Sequence, residues 1–254
     1  MDLTVPTTRV FTVSNVGTYV AGDNGQTVTF TGGGTGTLVA ISTVNMQALI
    51  RSCAGTINSG AVTLSGGHTF TVSNTGDQAR AIAKIDGVWV NPDTTAVYIS
   101  AYWKTDADHY VKIYTTDTAR HSGKWDSTKY VLQVTAAGSY VYAMRIYTPY
   151  VRVDGLQVYM TGAAGLEGYG VLENSSVNGD VRISNCIIKS TLAAGGSQAG
   201  IRAIFGVKIY NNIVYGFEDY GINLGGNWTV SSVTSYLYNN TSINCGTGFV
   251  RGGG

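Results

Sequence analysis

The chain has 254 residues, 44% of them apolar, with 34 glycines and three prolines, which is enough for one large domain or two small ones around a substantial core. Sixteen Lys and Arg stand against fifteen Asp and Glu, a formal net charge of +1 without a long basic run, and this balance argues against nucleic acid and anionic membranes as partners. The opening MDLTVPTTRVFTVSN lacks the basic and apolar segments of a signal peptide, and no later stretch reaches the roughly 18 apolar residues of a membrane helix.

Seventeen tyrosines with abundant Thr, Ser, Val and Asn favour strands joined by Gly and Asn turns, so the predicted class is all-β. Cys53, Cys186 and Cys245 are odd in number, widely spaced and outside any C-x-x-C pattern, which indicates neither a zinc site nor a disulfide framework. They are read as ordinary buried or half-buried thiols.

Residues 1–87 form an N-terminal module. FTVSN at 11–15 returns in TFTVSN at 69–74, and the segment between alternates strand residues with Gly-rich turns, as hairpins do. GGGTG at 32–36 lacks the Lys-Ser/Thr continuation of a phosphate loop and reads as a hairpin turn. Two short helices are expected: one in STVNMQALIRSCAG, with Ser42 or Thr43 as N-cap and Val44, Ala48 and Leu49 on one side, and one in GDQARAIAKI at 76–85 that would cover an open solenoid end. The module resembles short Gly-rich β modules of phage tail and fibre proteins.

Further along, VYISAYWKT, HYVKIYTT, KYVLQVT and YVYAMRIYT read as strands between residues 97 and 148, interrupted by the polar DTARHSGKWDS. Then one phrase is written four times: YVRVDGLQVY, DVRISNCIIK, GVKIYNNIVY and SYLYNNTSIN align Val151, Val181, Val207 and Ser235. Each copy alternates like a strand, turns a polar corner at Asp154-Gly155, Ser184-Asn185, Tyr210-Asn211 or Tyr238-Asn239, and resumes an apolar run. Asn tolerates the left-handed backbone of a sharp bend. Stacked coils would set Asn185, Asn211 and Asn239 about 4.8 Å apart, close enough for an amide ladder. A second phrase recurs as Gly170/Val171, Gly200/Ile201, Gly221/Ile222 and Gly248/Phe249.

Repeats of 26 to 30 residues with variable loops point to a solenoid. VRVDG, VRISN, VKIYNN and SYLYNN with their following Gly-apolar strands resemble the right-handed parallel β-helix family, the solenoid of pectate lyases, polygalacturonases and phage tailspikes. The segment DTARHSGKWDS with YVRVDGLQ also resembles the first coils of environmental β-helix proteins of unassigned function. The resemblance implies an all-β chain whose right-handed parallel β-helix occupies 88–254 behind the N-terminal module or cap.

Polysaccharide-cleaving members of that family set carboxylates, or calcium with a basic residue, along one groove. Acid-base catalysis there needs two carboxyl groups about 5 Å apart for retention or about 6.5–9.5 Å for inversion. Here Asp154, Glu167, Glu173, Asp180, Glu218 and Asp219 occupy different phases of the repeat, and the N-T-D, D-D, G-H-G and R-I-K motifs are missing. Glu218 and Asp219 in GFEDYG are the catalytic or calcium candidates; the competing reading is that strand neighbours point oppositely into solvent. Asp106 and Asp108 beside His109 carry the same ambiguity.

His121, with Lys124, Trp125 and Asp126, forms the most reactive-looking loop. Trp103, Trp125 and Trp228 either stack on sugar faces or anchor long connections. Asn-x-Ser/Thr matches at Asn174, Asn227, Asn239 and Asn240 carry little weight without a secretory route. No cofactor or metal site is indicated. The expected role is a non-catalytic structural or adhesive protein of a virion surface, such as a decoration, fibre or tailspike-like component, binding glycans. A C-terminal GFVRGGG without a cap adds self-association, as a trimer or with other virion proteins. The alternatives are a polysaccharide lyase or glycoside hydrolase, an extracellular location, and a carbohydrate-binding module without catalysis.

Overall fold

The structure, a computed structural model, describes residues 8–78, 80–101, 103, 105–138, 140–163, 167–175, 179–225 and 234–252. The chain forms two compact units, Met1–Ala81 and Ile82–Gly254.

The first unit holds strands β1 (Arg9–Asn15), β2 (Thr27–Phe30), β3 (Thr35–Ser42), β4 (Gln47–Ala54), β5 (Gly60–Leu64), β6 (Thr69–Val72) and β7 (Asp77–Gln78). Their antiparallel order is β4-β3-β2-β5-β6-β1-β7, and β1 also pairs with β4, so β1 to β6 close on themselves. Closure leaves no free edge among them. Phe11, Val13, Val28, Phe30, Val62 and Leu64 are buried, while Thr12, Thr29 and Thr63 between them are exposed, the period of two that a one-sided strand requires. GGGTG forms the β2–β3 turn, where Gly33 has φ 81.

Neither expected helix forms. Ser42 Oγ does accept the Asn45 N–H at 3.2 Å, the bond an N-cap would take, but Met46 turns left-handed at φ 50 and the chain reverses into β4. Ala48 and Ile50 are both fully buried while Val44 is 90% exposed, so the apolar residues follow the pleat of a closed sheet and not one helical face. The 76–85 segment is likewise extended: Asp77 and Gln78 pair with Val10 and Arg9, and Ala81–Ile85 is a strand of the solenoid sheet described next.

The second unit is a parallel β-solenoid of six coils with three faces. Its first face stacks Ala81–Ile85, Val111–Thr115, Val151–Asp154, Val181–Ser184, Val207–Tyr210 and Tyr236–Tyr238. The second stacks Val131–Ala136, Gln157–Gly162, Ile187–Ser190, Ile213–Tyr215 and Thr241–Ile243, with Asp93 of the first coil bridging to Leu132. The third stacks Val97–Ile99, Tyr140–Ile146, Glu167–Glu173, Gln198–Ala203, Tyr220–Gly225 and Thr247–Gly252.

Registers run without slip through the interior: Val111 over Val151, Val181 over Val207 and Ile183 over Ile209, Val171 over Ile201 and Ile201 over Ile222. Burial of each such side chain contributes roughly 1.5–3 kcal/mol relative to exposure, and a one-residue slip would turn the whole set outward. The glycine column has a packing cause. A Cβ on Gly170 would strike Ile188, one on Gly200 would strike Val214, and one on Gly221 would strike Ser242, each also crowding the glycine carbonyl of the next coil.

Candidate functional site

Between the first and second faces most coils turn in two residues, and those turns share one chemistry. Gly155, Asn185, Asn211 and Asn239 have φ of 80, 53, 57 and 54°, the left-handed conformation that glycine and asparagine tolerate best. The N–H groups of Gly155, Asn185 and Asn211 donate to Ser184, Tyr210 and Tyr238 carbonyls at 3.0, 3.2 and 3.3 Å. Along the outside, Asn211 Nδ2 donates to Asn185 Oδ1 at 3.2 Å and Asn185 Nδ2 donates to Asp154 Oδ1 at 2.6 Å. The amide row therefore starts on a carboxylate, and Asn239 continues the backbone pattern one coil further.

A second, inner row was not anticipated. Leu156, Cys186, Asn212 and Asn240 follow the corner residues directly. Asn212 is 1% exposed; its Oδ1 accepts the Cys186 N–H at 2.9 Å and its Nδ2 donates to Ile183 O at 3.0 Å and to Asn240 Oδ1 at 3.0 Å. Asn240 Oδ1 also accepts the Asn212 N–H, and Asn240 Nδ2 donates to Ile209 O. In the earlier coil the Cys186 sulfur takes the same place: its thiol is pushed up to about 12 by burial, opposed by hydrogen bonds from the Leu156 and Gly155 N–H groups. The doubled Asn in YNN at 210–212 and 238–240 was the available signal.

The second coil passes this corner through residues 116–130, and that loop carries His121 and Trp125. Arg120 pairs with Asp154 over Gly155, where any Cβ would collide with the guanidinium. His121 Nε2–H donates to Asn185 O at 2.9 Å and its Nδ1 accepts the Gly123 N–H at 3.1 Å, which holds the ring as one neutral tautomer. Burial keeps its pKa below the ordinary histidine value against the opposing pull of the Asn185 carbonyl. Gln157 fixes the far side of the loop, accepting from Asp126 N–H at 2.7 Å and donating to the Asp126 and Tyr130 carbonyls.

Trp125 is half-buried, edge-on to Tyr159 at 6.0 Å, with Lys189 Nζ 3.7 Å above its ring and 4.2 Å from that of Tyr159. Beneath the loop a groove of about 280 Å3 is lined by Arg120, His121, Asn185, Asn211 and Ile213 among others. Trp103 lies at another corner, between the third and first faces, where its carbonyl accepts the Thr148 hydroxyl at 3.1 Å. Trp228 lies outside the described residues.

The carboxylates serve the backbone. Glu218 Oε2 accepts the Gly195 N–H and Asp219 Oδ2 accepts the Gln198 N–H, both at 2.7 Å, so each clamps the loop of the preceding coil. Asp106 takes His109 Nδ1–H at 2.6 Å together with the Asp108 and His109 N–H groups. Glu173 is fully buried, raised by that burial against hydrogen bonds from Ser175, Phe205 and Ile204. Asp180 pairs with Arg182 and Lys208. Among the described residues no three His, Cys, Asp or Glu side chains are grouped so as to hold a metal. The cysteines are free, Cys53 and Cys186 buried and Cys245 half-buried.

The third face carries a tyrosine–arginine cluster in which Tyr169, Leu172 and Ala199 are buried and Tyr142 and Tyr220 half-buried. Tyr142 pairs in register with Tyr169, Tyr169 with Ala199 and Ala199 with Tyr220. A neighbouring column runs Tyr98, Arg145, Leu172, Arg202, Asn223. Tyr169, Leu172 and Ala199 form a small cluster of their own against Tyr142 and Tyr220. The Arg145 guanidinium lies 4.2, 5.1 and 5.6 Å from the rings of Tyr147, Tyr142 and Tyr140, and Arg202 lies 5.2 Å from the Tyr169 ring while donating to its hydroxyl at 2.6 Å. Tyr169 in turn donates to Glu167 at 3.2 Å. Tyr98 and Tyr140 are 55% and 41% exposed, and Arg145 Nε, Arg202 Nε and Asn223 Oδ1 are buried without a hydrogen-bond partner among the described residues. The tyrosines were legible in VYISAYWKT and YVYAMRIYT, but only the coil register sets them beside Arg145 and Arg202.

Comparison of the chain with protein-family models, with curated proteins and with solved structures finds no match in any of the three.

Proposed function

We propose that this chain is a non-catalytic, adhesive β-solenoid of a virion surface that holds glycans on its third face, assembled with itself or with other virion proteins. The observation that carries the reading is the third-face group of Arg145 and Arg202 among tyrosines, of which Tyr98 and Tyr140 are exposed. Tyrosine offers a flat apolar face for sugar C–H groups and a hydroxyl at its rim. Sugar hydroxyls both donate and accept, which suits the Arg145 and Arg202 Nε donors and the Asn223 oxygen, each without a hydrogen-bond partner among the described residues. A binding role is favoured over hydrolysis because Glu218 and Asp219, the catalytic candidates, each hold a loop of the preceding coil through a backbone N–H. The Gly-rich N-terminal unit and the stacked rod suit a structural component, and light scattering of the native protein tests its assembly.

A glycan array probed with the intact chain tests binding. The expected result is a restricted set of saccharides retained by the native protein and lost, by tenfold or more, in Arg145→Ala and Tyr140→Ala variants that keep the native circular dichroism. A blank array, or retention unchanged in both variants, refutes the third-face assignment. Reducing-sugar release from any retained glycan refutes the non-catalytic one.

A further inference from the structure

The outward column of the first face is cationic in four successive coils. Lys112 pairs with Arg152, Arg152 with Arg182 and Arg182 with Lys208, and Tyr236 follows Lys208 in the next coil. A strand spacing of about 4.8 Å spreads these charges along roughly 14 Å. Like charges directly opposite on adjacent strands destabilise a sheet, so the arrangement is costly to the fold by itself.

Compensation within the chain is partial. Asp180 pairs with Arg182 and, at 2.8 Å, with Lys208. Asp154, two residues beyond Arg152, is taken by Arg120. Arg152 and Lys112 have aromatic partners: the Arg152 guanidinium lies 3.4 Å from the Tyr110 ring and Lys112 Nζ lies 4.4 Å from the Tyr114 ring. Arg152 Nε is buried without an acceptor among the described residues. Beside Lys208 opens a hollow of about 250 Å3 walled by Tyr150, Tyr236, Asp180 and Thr234.

We propose that the first face binds an acidic polysaccharide, a chain bearing a carboxylate or sulfate on successive sugars, laid along the Lys112–Lys208 column with one ring in the Tyr150/Tyr236 hollow. Charge complementarity selects a linear anion whose repeat is comparable with the coil spacing. The hollow suits a sugar ring: its two phenol rings offer stacking faces and the Asp180 carboxylate accepts hydroxyl hydrogen bonds, while the anionic groups lie on the cationic column. A net charge of +1 supplies no broad field for a nucleic acid. This site lies on a different face from the third-face surface and does not depend on it.

The test uses the intact chain immobilised on a sensor, at 20 mM and 200 mM salt chosen to span strong and weak screening, with alginate, dextran sulfate, neutral dextran and single-stranded DNA as probes. Alginate binding points to carboxylates and dextran sulfate binding to sulfates. Either is expected to weaken steeply with salt, as for any ligand held by several cations. Lys112→Gln with Arg152→Gln, neither of which removes a carboxylate's partner, is expected to lower affinity at least tenfold and flatten the salt dependence, and Lys208→Gln to lower it as well. Tryptophan fluorescence and circular dichroism verify the fold, and a Lys124→Gln variant outside the column controls for lost charge alone. No binding to either acidic polysaccharide at low salt, equal binding of neutral dextran, or unaltered affinity in the folded double variant overturns the proposal; DNA bound as tightly as the polysaccharides overturns its ligand class.

Discussion

Replacing Asn212 with alanine tests whether the inner amide row holds the coils together. Asn212 is 1% exposed, and its loss removes the acceptor of the Cys186 N–H in the interior, together with one donor to the Ile183 carbonyl. A buried polar group left unsatisfied costs about 1–3 kcal/mol, so a destabilisation of that size is predicted. The contrasting change is Asn211→Gly. It removes the outer amide bond to Asn185, but that bond is solvent-exposed and glycine accepts φ 57 more readily than asparagine, so the expected change is within about 1 kcal/mol.

Both are measured by urea unfolding followed by tryptophan fluorescence. All four tryptophans, at 89, 103, 125 and 228, lie in the second unit, so the signal reports the solenoid alone. A loss below about 1 kcal/mol for Asn212→Ala, or equal losses for the two variants, would refute the assignment of coil cohesion to the inner row.

Acid is expected to lift the 116–130 loop. His121 has a pKa lowered by burial, so its contribution is full above the unfolded value of about 6.5 and fades as pH falls through the folded one. Asp154 is raised by burial but lowered further by Asn185, Arg120 and Ser184, so its share survives to lower pH and is lost last. Trp125 emission should shift to the red below pH 6, and a spectrum unchanged from pH 7 to 4 contradicts the account. Thiol labelling of the native chain should modify Cys245 alone, since Cys53 and Cys186 are buried with thiols pushed up to about 11 and about 12; rapid modification of all three would show that the coils open. Gly200→Val should abolish the folded solenoid, because Val214 and the Gly221 carbonyl already occupy that space; a native circular dichroism spectrum for this variant sinks the packing explanation of the glycine column.

The repeat was legible because stacking repeats its demands. The register of Val181 with Val207, the glycine column and the left-handed asparagines all follow from one coil lying on the next, and each leaves a residue type at a fixed place in the phrase. What failed was the local reading of residues 42–55 and 76–85. There the spacing of Val44, Ala48 and Leu49 fits a helix, yet the deciding contact is the distant pairing of β1 with β4, which a local pattern does not contain. The third face was less legible for a related reason: Tyr142, Tyr169 and Tyr220 stand far apart in sequence, and only the coil register aligns them, Tyr142 on Tyr169 directly and Tyr169 with Tyr220 across Ala199.

A parallel solenoid divides its sequence between two tasks. Inward positions must match from coil to coil, so Val, Ile and Leu recur there and any departure is costly: the row from Leu156 through Cys186 to Asn212 and Asn240 turns polar, and its side chains take backbone partners from the adjacent coil. Outward positions carry no such demand. Each face is free to line up whatever side chains the register brings together, and here the faces diverge: cations on the first, Trp125 with Lys189 and Tyr159 on the second, tyrosines with Arg145 and Arg202 on the third. On the first face the register sets Lys112, Arg152, Arg182 and Lys208 one coil apart, a row that no single repeat contains and that exists only because each coil lies on the next.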